Sequence, residues 1–182
     1  MLKIFNLISL FVLITTTAYS AGIAGKIAPN LRVEQWLDYT GKPLSKKPKI
    51  TDYKDKLLYI YCWQHWCPGC HSQGFPTLKK LINEFGEDPD INFLDIQTPF
   101  EGRHINTIDK VKTTAEKYGL KIPMGHTQTQ PREKIPFFMQ DFRTGGTPWG
   151  ILIGPDRRVL VNGYELDHEI IVKLMRQFQN RK

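Results

Sequence analysis

Leu57 to Trp63 (LLYIYCW) is an unbroken apolar and aromatic run, the pattern of a central strand buried on both faces. A helix is predicted from near Cys67 to about Phe85. Leu78, Leu81, Ile82 and Phe85 recur there at helical spacing and form one apolar stripe. Pro76 inside this helix should kink it, because proline has no N–H to return to the carbonyl four residues back. Ile91 to Ile96 (INFLDI) reads as a second buried strand. Ile105 to Tyr118 reads as a helix with Ile108, Val111, Ala115 and Tyr118 on one face and Gly119 as its C-terminal cap. Residues 120–146, interrupted by Pro123, Gly125, Pro131, Pro136, Gly145 and Gly146, show no clear period. Trp149 to Ile153 and Arg158 to Asn162 then form a hairpin around the turn Gly154-Pro155-Asp156. Asp167 caps a last helix whose buried face is Ile170, Ile171, Leu174, Met175 and Phe178. The order of these elements predicts an α/β fold, with a mixed sheet and helices on both faces.

The two ends of the pattern differ from this core. Residues 1–20 have a basic residue at Lys3, an apolar stretch from Leu7 to Ile14, and small residues at Ala18 and Ser20 flanking Tyr19. This is the build of a secretory signal peptide cleaved before Ala21, and the apolar run is short for a membrane-spanning helix. The expectation is therefore an extracytoplasmic, periplasmic protein with no stable membrane insertion after cleavage. No cysteine follows the cleavage point to carry a lipid. Residues 21–56 are polar and rich in Pro, Gly and Lys. They are expected to form an irregular or hairpin N-terminal extension, with Leu31, Val33 and Trp36 packing on the core of a single domain spanning 21–182.

Composition narrows the class. Apolar residues make up 41% and charged residues 24% of the chain, which excludes a disordered or collagen-like protein. The net charge is +7, falling to +6 once Lys3 leaves with the signal segment. The cations are dispersed among Asp52 and Asp55, so they read as a solvated surface and not as a nucleic-acid site. Three cysteines are too few for a disulfide scaffold.

Two of those cysteines stand in Trp66-Cys67-Pro68-Gly69-Cys70-His71, at the start of a helix that follows a buried strand. C-x-x-C in this position points to thiol–disulfide chemistry. Exchange needs a thiolate, and a free cysteine has a pKa of about 8.5. At Cys67 the helix start would favour the anion, and about 1.4 kcal/mol suffices to make the thiolate tenfold easier to form. Pro68 suits the first helical position. His65 and His71 would add favourable charge when protonated. Cys70, one turn on, faces inward and can resolve a mixed disulfide with Cys67. Downstream, Thr147-Pro148 directly precedes a strand, where an X-Pro bond is a candidate cis peptide. Such a loop would offer the Thr147 backbone to an extended substrate segment. Trp66 and Trp63 flank the motif, and Trp149 would line the groove. Cys62, mid-strand among aromatics, reads as a buried inert thiol, and His104, His126 and His168 as surface or loop residues.

With these elements in hand, residues 29–180 resemble the thioredoxin superfamily, and within it the exported TlpA/ResA-type thiol–disulfide oxidoreductases. The resemblance implies a thioredoxin-like three-layer αβα sandwich with an N-terminal extension and a βα insert at residues 91–123. It implies Cys67 as attacking thiol, Cys70 as resolving thiol and Pro148 as the cis-proline, with Trp66, Thr147 and Pro148 contacting substrate. It also implies that no cofactor is needed, that clients are protein thiols and disulfides of the cell envelope, and that a membrane electron donor regenerates the dithiol. The sequence departs from the pattern where thioredoxins carry a buried carboxylate, here Tyr61. It departs again where the TlpA/ResA branch often has glutamate, here Gln73, and Phe75-Pro76 falls one residue late. Asp95 and Glu101 are left as candidates to deprotonate Cys70, with a surface role the plainer reading of Glu101. Pro68-Gly69 does not decide between reductase and oxidant.

Three other readings use the same residues. Cys67-x-x-Cys70-His71 is literally the c-type haem attachment pattern, against which stand the buried strand leading into it and the Thr-Pro element. Cys67, Cys70 and His71 would supply three ligands to Cu(I) or Zn, with no fourth evident. A peroxidase of the same superfamily would need Pro and Thr or Ser where this chain has Ile60 and Gln64.

Overall fold

A computed structural model describes residues 22–129 and 132–181; the signal-like segment 1–20 lies outside them. Among the described residues, six strands form one sheet. They are β1 (Gln35–Leu37), β2 (Leu57–Trp63), β3 (Ile91–Gln97), β4 (Met124–His126), β5 (Trp149–Ile153) and β6 (Val159–Tyr164), in the order β1-β4-β3-β2-β5-β6. β2, β3 and β4 run parallel, whereas β1, β5 and β6 pair antiparallel with their neighbours. All seven side chains of β2 are buried, as its unbroken apolar run predicts. Burying a large apolar side chain contributes about 1.5–3 kcal/mol, so this strand anchors the fold.

Four α-helices among the described residues cover the sheet: α1 (Phe75–Phe85), α2 (Ile108–Tyr118), α3 (Phe137–Phe142) and α4 (His168–Gln179). Successive parallel connections running the same way across the sheet put α1 and α2 on one face. Leu78 and Leu81 of α1, Val111 of α2 and Met175 of α4 meet there over Tyr59, Tyr61 and Trp63. Phe138 and Phe142 of α3, with Val33 and Trp36 of the N-terminal extension, cover Leu58, Ile60 and Cys62 on the other. The three-layer mixed-sheet architecture is the one expected.

The details correct several expectations. Residues 120–146 hold a strand and a helix, β4 and α3, and the N-terminal extension supplies an edge strand, β1, paired with β4. Helix α2 begins at Ile108 behind Thr107, not at Ile105, which is exposed. Gly119 does cap it, in the left-handed region at φ 66°. Asp167 caps α4 by accepting the N–H of Glu169 at 2.8 Å. Ile170 is 52% exposed and does not belong to the buried face of α4, which turns Ile171 and Met175 inward. The helix carrying the cysteines starts at Pro68 and contains a π-turn from Cys70 to Gly74. There the Phe75 N–H reaches the Cys70 carbonyl five residues back. This one-residue bulge, directly before Pro76, is the form the expected kink takes.

Candidate active site

The cysteines lie where β2 ends and the helix begins. Cys67 is 5% exposed and Cys70 is fully buried. The Cys70 N–H donates to the Cys67 sulfur at 3.2 Å, so Cys67 Sγ takes the place of an N-cap acceptor for the first turn. A contact of this kind persists and strengthens when the sulfur is an anion. On its other side the Cys67 thiol meets the Thr147 carbonyl at 3.6 Å. Thr147-Pro148 is cis, and the side chain of Pro148 stands over Gly69. The two separated motifs are thus brought into one site.

Side chains far apart in sequence hold the loop before Cys67. The His65 N–H donates to Asn106 Oδ1 at 2.6 Å, and Asn106 Nδ2 donates to the Glu101 and Gly102 carbonyls at 2.9 and 3.0 Å. Gln64 Oε1 accepts the Glu101 N–H at 3.2 Å. His71 Nε2 lies 2.7 Å from the His65 carbonyl, and its Nδ1 lies 2.9 Å from the Tyr118 hydroxyl. The His71 ring packs among Trp63, Phe75 and Tyr118. No sequence signal assigns Gln64, Asn106 or Tyr118 to the site. Asn106, directly ahead of the Thr107 cap, is the one that a correct helix start would have flagged.

Burial sets the electrostatics. It pushes the Cys70 thiol up to about 12, with the Cys67 sulfur adding to the effect. Cys62 is driven well above the usual thiol range by burial. It lies on the opposite face of β2, as an inert core residue should. Asp95 is paired in register with Tyr61 and is fully buried, so burial drives its carboxyl toward the protonated form. The Trp63 indole N–H opposes this shift, although neither carboxyl oxygen meets hydrogen-bond geometry among the described residues. Parallel pairing turns Asp95 to the same face as Tyr61, the face that carries Cys70. Tyr61 itself donates to the Cys70 carbonyl at 3.2 Å.

Other residues fall less centrally. Trp66 is 43% exposed beside Cys67, with its indole against Gly102. Trp149 is a core residue whose indole N–H donates to Asn162, although it also borders a small cavity beside Pro148. Glu101 is exposed and enters the site only through its backbone. His126 corrects the surface reading: it is 6% exposed on β4 and bonded to Gln97 Oε1 at 2.7 Å. Burial pulls its imidazole down to about 4. His168 is half-buried at the start of α4, whereas His104 is exposed. Among the described residues, no group of three or more His, Cys, Asp or Glu is placed to hold a metal ion, and no helix is long and apolar enough to cross a membrane.

No protein-family model matches the sequence, and no curated protein matches it. Solved structures do. A thioredoxin-like superfamily protein superposes with a TM-score of 0.74 at 24% identity, covering 84% of this chain and 95% of its own. A thiol–disulfide isomerase from Corynebacterium glutamicum gives 0.71 at 23% identity, covering 83% of this chain and 96% of its own. A thio-disulfide isomerase from Thermus thermophilus gives 0.59 at 20% identity, over 85% and 96%. The chain has the thioredoxin-like fold, shared with these structures.

Proposed function

We propose that this protein is an exported thiol–disulfide oxidoreductase that exchanges a Cys67–Cys70 dithiol or disulfide with client proteins of the cell envelope. The observation that carries the reading is the Cys67 sulfur, held between the Cys70 N–H at the helix start and the Thr147 carbonyl of the Pro148 loop. In the reducing direction, the Cys67 thiolate attacks one sulfur of a client disulfide. The client S–S bond breaks, a mixed disulfide forms, and the first client thiolate leaves. Cys70 then loses its proton and attacks Cys67 Sγ, releasing the second client thiolate and closing the Cys67–Cys70 disulfide. Two electrons pass from the dithiol to the client. The oxidising direction is the reverse. With its thiol pushed up to about 12, Cys70 stays protonated and unreactive until the mixed disulfide has formed. In an oxidising compartment a membrane electron donor would restore the dithiol.

The names of the similar structures support this chemistry, as does the meeting of the two motifs. The haem reading fares worse. It would need both sulfurs and His71 turned to one porphyrin, yet Cys70 is fully buried and His71 Nε2 is engaged by the His65 carbonyl. Reduction of a model protein disulfide by the pre-reduced protein tests the proposal. Cys67→Ser should abolish turnover and Cys62→Ser should leave it intact; equal loss in both would overturn the assignment. Equilibration with glutathione would fix the direction: a potential near about −270 mV marks a reductase and one near about −120 mV an oxidant.

A further inference from the structure

We infer that Glu165 sets the charge preference of the client groove, favouring segments that carry a lysine or arginine beside their disulfide. This deepens the proposed redox reading by naming the class of client, and it rests on that reading.

β6 leaves the sheet at Tyr164, which pairs with Trp149 of β5. One residue on, the Glu165 N–H donates to the Pro148 carbonyl at 3.3 Å, so the ladder is carried onto the Thr147-Pro148 loop. Glu165 holds φ 43°, in the left-handed region that residues other than glycine seldom occupy. Its side chain lies back over the cysteine motif: a Cβ added at Gly69 would stand 3.5 Å from Glu165 Oε1 and 3.4 Å from Pro148 Cδ. Thr147, the neighbour of Pro148, touches Cys67, its carbonyl lying 3.6 Å from the sulfur. The carboxylate, the Pro148 ring and the reactive thiol thus border one groove.

The walls of that groove differ in chemistry. The sheet order places β3 on one side of β2 and the β5–β6 pair on the other. On the β3 side, Trp66 and Ile105 are 43% and 38% exposed. They meet at Gly102, where a Cβ would lie 3.2 Å from Trp66 Nε1 and 3.3 Å from Ile105 Cγ1. On the β6 side stand Tyr164, 54% exposed, and Glu165, also exposed. Burial first, and then the Glu165 carboxylate, push the Tyr164 hydroxyl up, with Cys67 and Cys70 adding. That hydroxyl is therefore within electrostatic reach of the carboxylate and of both sulfurs. One wall is apolar, and the other is anionic and aromatic.

Charge decides what the second wall accepts. The chain carries 25 Lys and Arg against 18 Asp and Glu, so its overall field favours acidic partners. Glu165 reverses that preference at the disulfide. None of the salt bridges among the described residues uses it. Asp167, two positions on, is by contrast engaged at the α4 cap. A lysine or arginine of the client can pair with the Glu165 carboxylate and lie against the Tyr164 ring. A client carboxylate in the same place meets repulsion.

The test uses the reduced full-length protein and synthetic peptides whose single cysteine is joined by a disulfide to thionitrobenzoate. Cys67 attacks the peptide sulfur. The peptide–reporter S–S bond breaks, the Cys67–peptide bond forms, and thionitrobenzoate leaves as a coloured anion. Lys, Gln or Glu is placed in turn at each position close to the cysteine, and release is followed by stopped flow. At one or more positions the Lys peptide should react about two- to fivefold faster than the Gln peptide, the factor an exposed ion pair is worth. The advantage should shrink in high salt. Glu165→Gln should bring the Lys-to-Gln ratio to about one, and Glu165→Lys should invert the order so that the Glu peptide leads. A ratio unchanged by both substitutions overturns the inference. Glu165→Gly, which suits φ 43°, should lose the preference without losing resistance to urea. A loss of stability there would make the carboxylate a structural prop and overturn the inference as well. Release that survives Cys67→Ser would instead sink the redox reading, whereas Cys67-dependent release blind to charge sinks only the groove's preference.

Discussion

Gly74→Ala is the substitution whose consequences reach furthest into the site. Gly74 ends the π-turn, and a Cβ there would fall inside the Tyr61 hydroxyl and 2.6 Å from its Cζ. Three effects compete. Alanine is worth about 1 kcal/mol over glycine in a helical segment, which favours the variant. Forcing a methyl into a filled core costs about 1–3 kcal/mol. Displacing the hydroxyl from the Cys70 carbonyl costs about 1 kcal/mol more, because that carbonyl keeps only the Phe75 N–H. The losses win, and a net destabilisation of about 1–3 kcal/mol is expected from urea unfolding. Tyr61→Phe alone should cost about 1 kcal/mol through the lost hydrogen bond. The double variant should lose less than the sum of the singles, because the worst contact is gone while the ring carbon still crowds the methyl. A double-mutant cycle reads this directly. Additivity within about 0.3 kcal/mol would refute the claim that Gly74 exists to admit the Tyr61 hydroxyl.

Three further outcomes follow from the buried polar groups. His126, held near 4 against 6.5 when exposed, is neutral in the fold and protonated in the unfolded chain between those values, so stability should fall as pH drops from about 6.5 to 4. The loss should total about 3 kcal/mol by chemical unfolding and be absent in His126→Gln. Asp95 has the opposite sign: its folded form holds a proton that the unfolded chain gives up near 3.8, so stability should decline as pH rises through its raised value. Asp95→Asn should flatten that decline, and an unchanged profile would show the carboxyl to be elsewhere. Asn106→Ala removes three hydrogen bonds that tie the His65 N–H to the 101–102 loop. A loss of about 2–4 kcal/mol is expected, with Asn106→Asp recovering only the His65 contact.

What could be read from the sequence was what long periodic runs carry. β2, β3 and α1 announce themselves, and the C-x-x-C and Thr-Pro motifs need only their order along the chain. Short elements were lost. β4 is three residues, Met124–His126, and β1 is another three, so neither can display an alternation. β4 is held between β3 and β1, and β1 has β4 as its strand partner. α3 is six residues behind Pro136 with no capping side chain, too short for a period. Ile105 and Ile170 misled because each sits at helical spacing from genuine core positions. In the first case the chain does not turn helical until past Thr107, and in the second Ile171 occupies the face. Of the site, the sulfurs and Thr147 were legible. Their supports were not, because His71 and Tyr118 meet across 47 positions and nothing local marks the pairing.

Cys62 lies on the face of the sheet opposite Cys67 and Cys70, separated from them by a layer of hydrogen-bonded backbone. It gives the molecule an internal gauge of its own integrity. A thiol reagent added to the reduced protein should find Cys67 at once, Cys70 slowly, and Cys62 only when the whole sheet opens. The slowest of the three labelling rates would thus time global unfolding in the same tube in which the fastest reports on chemistry.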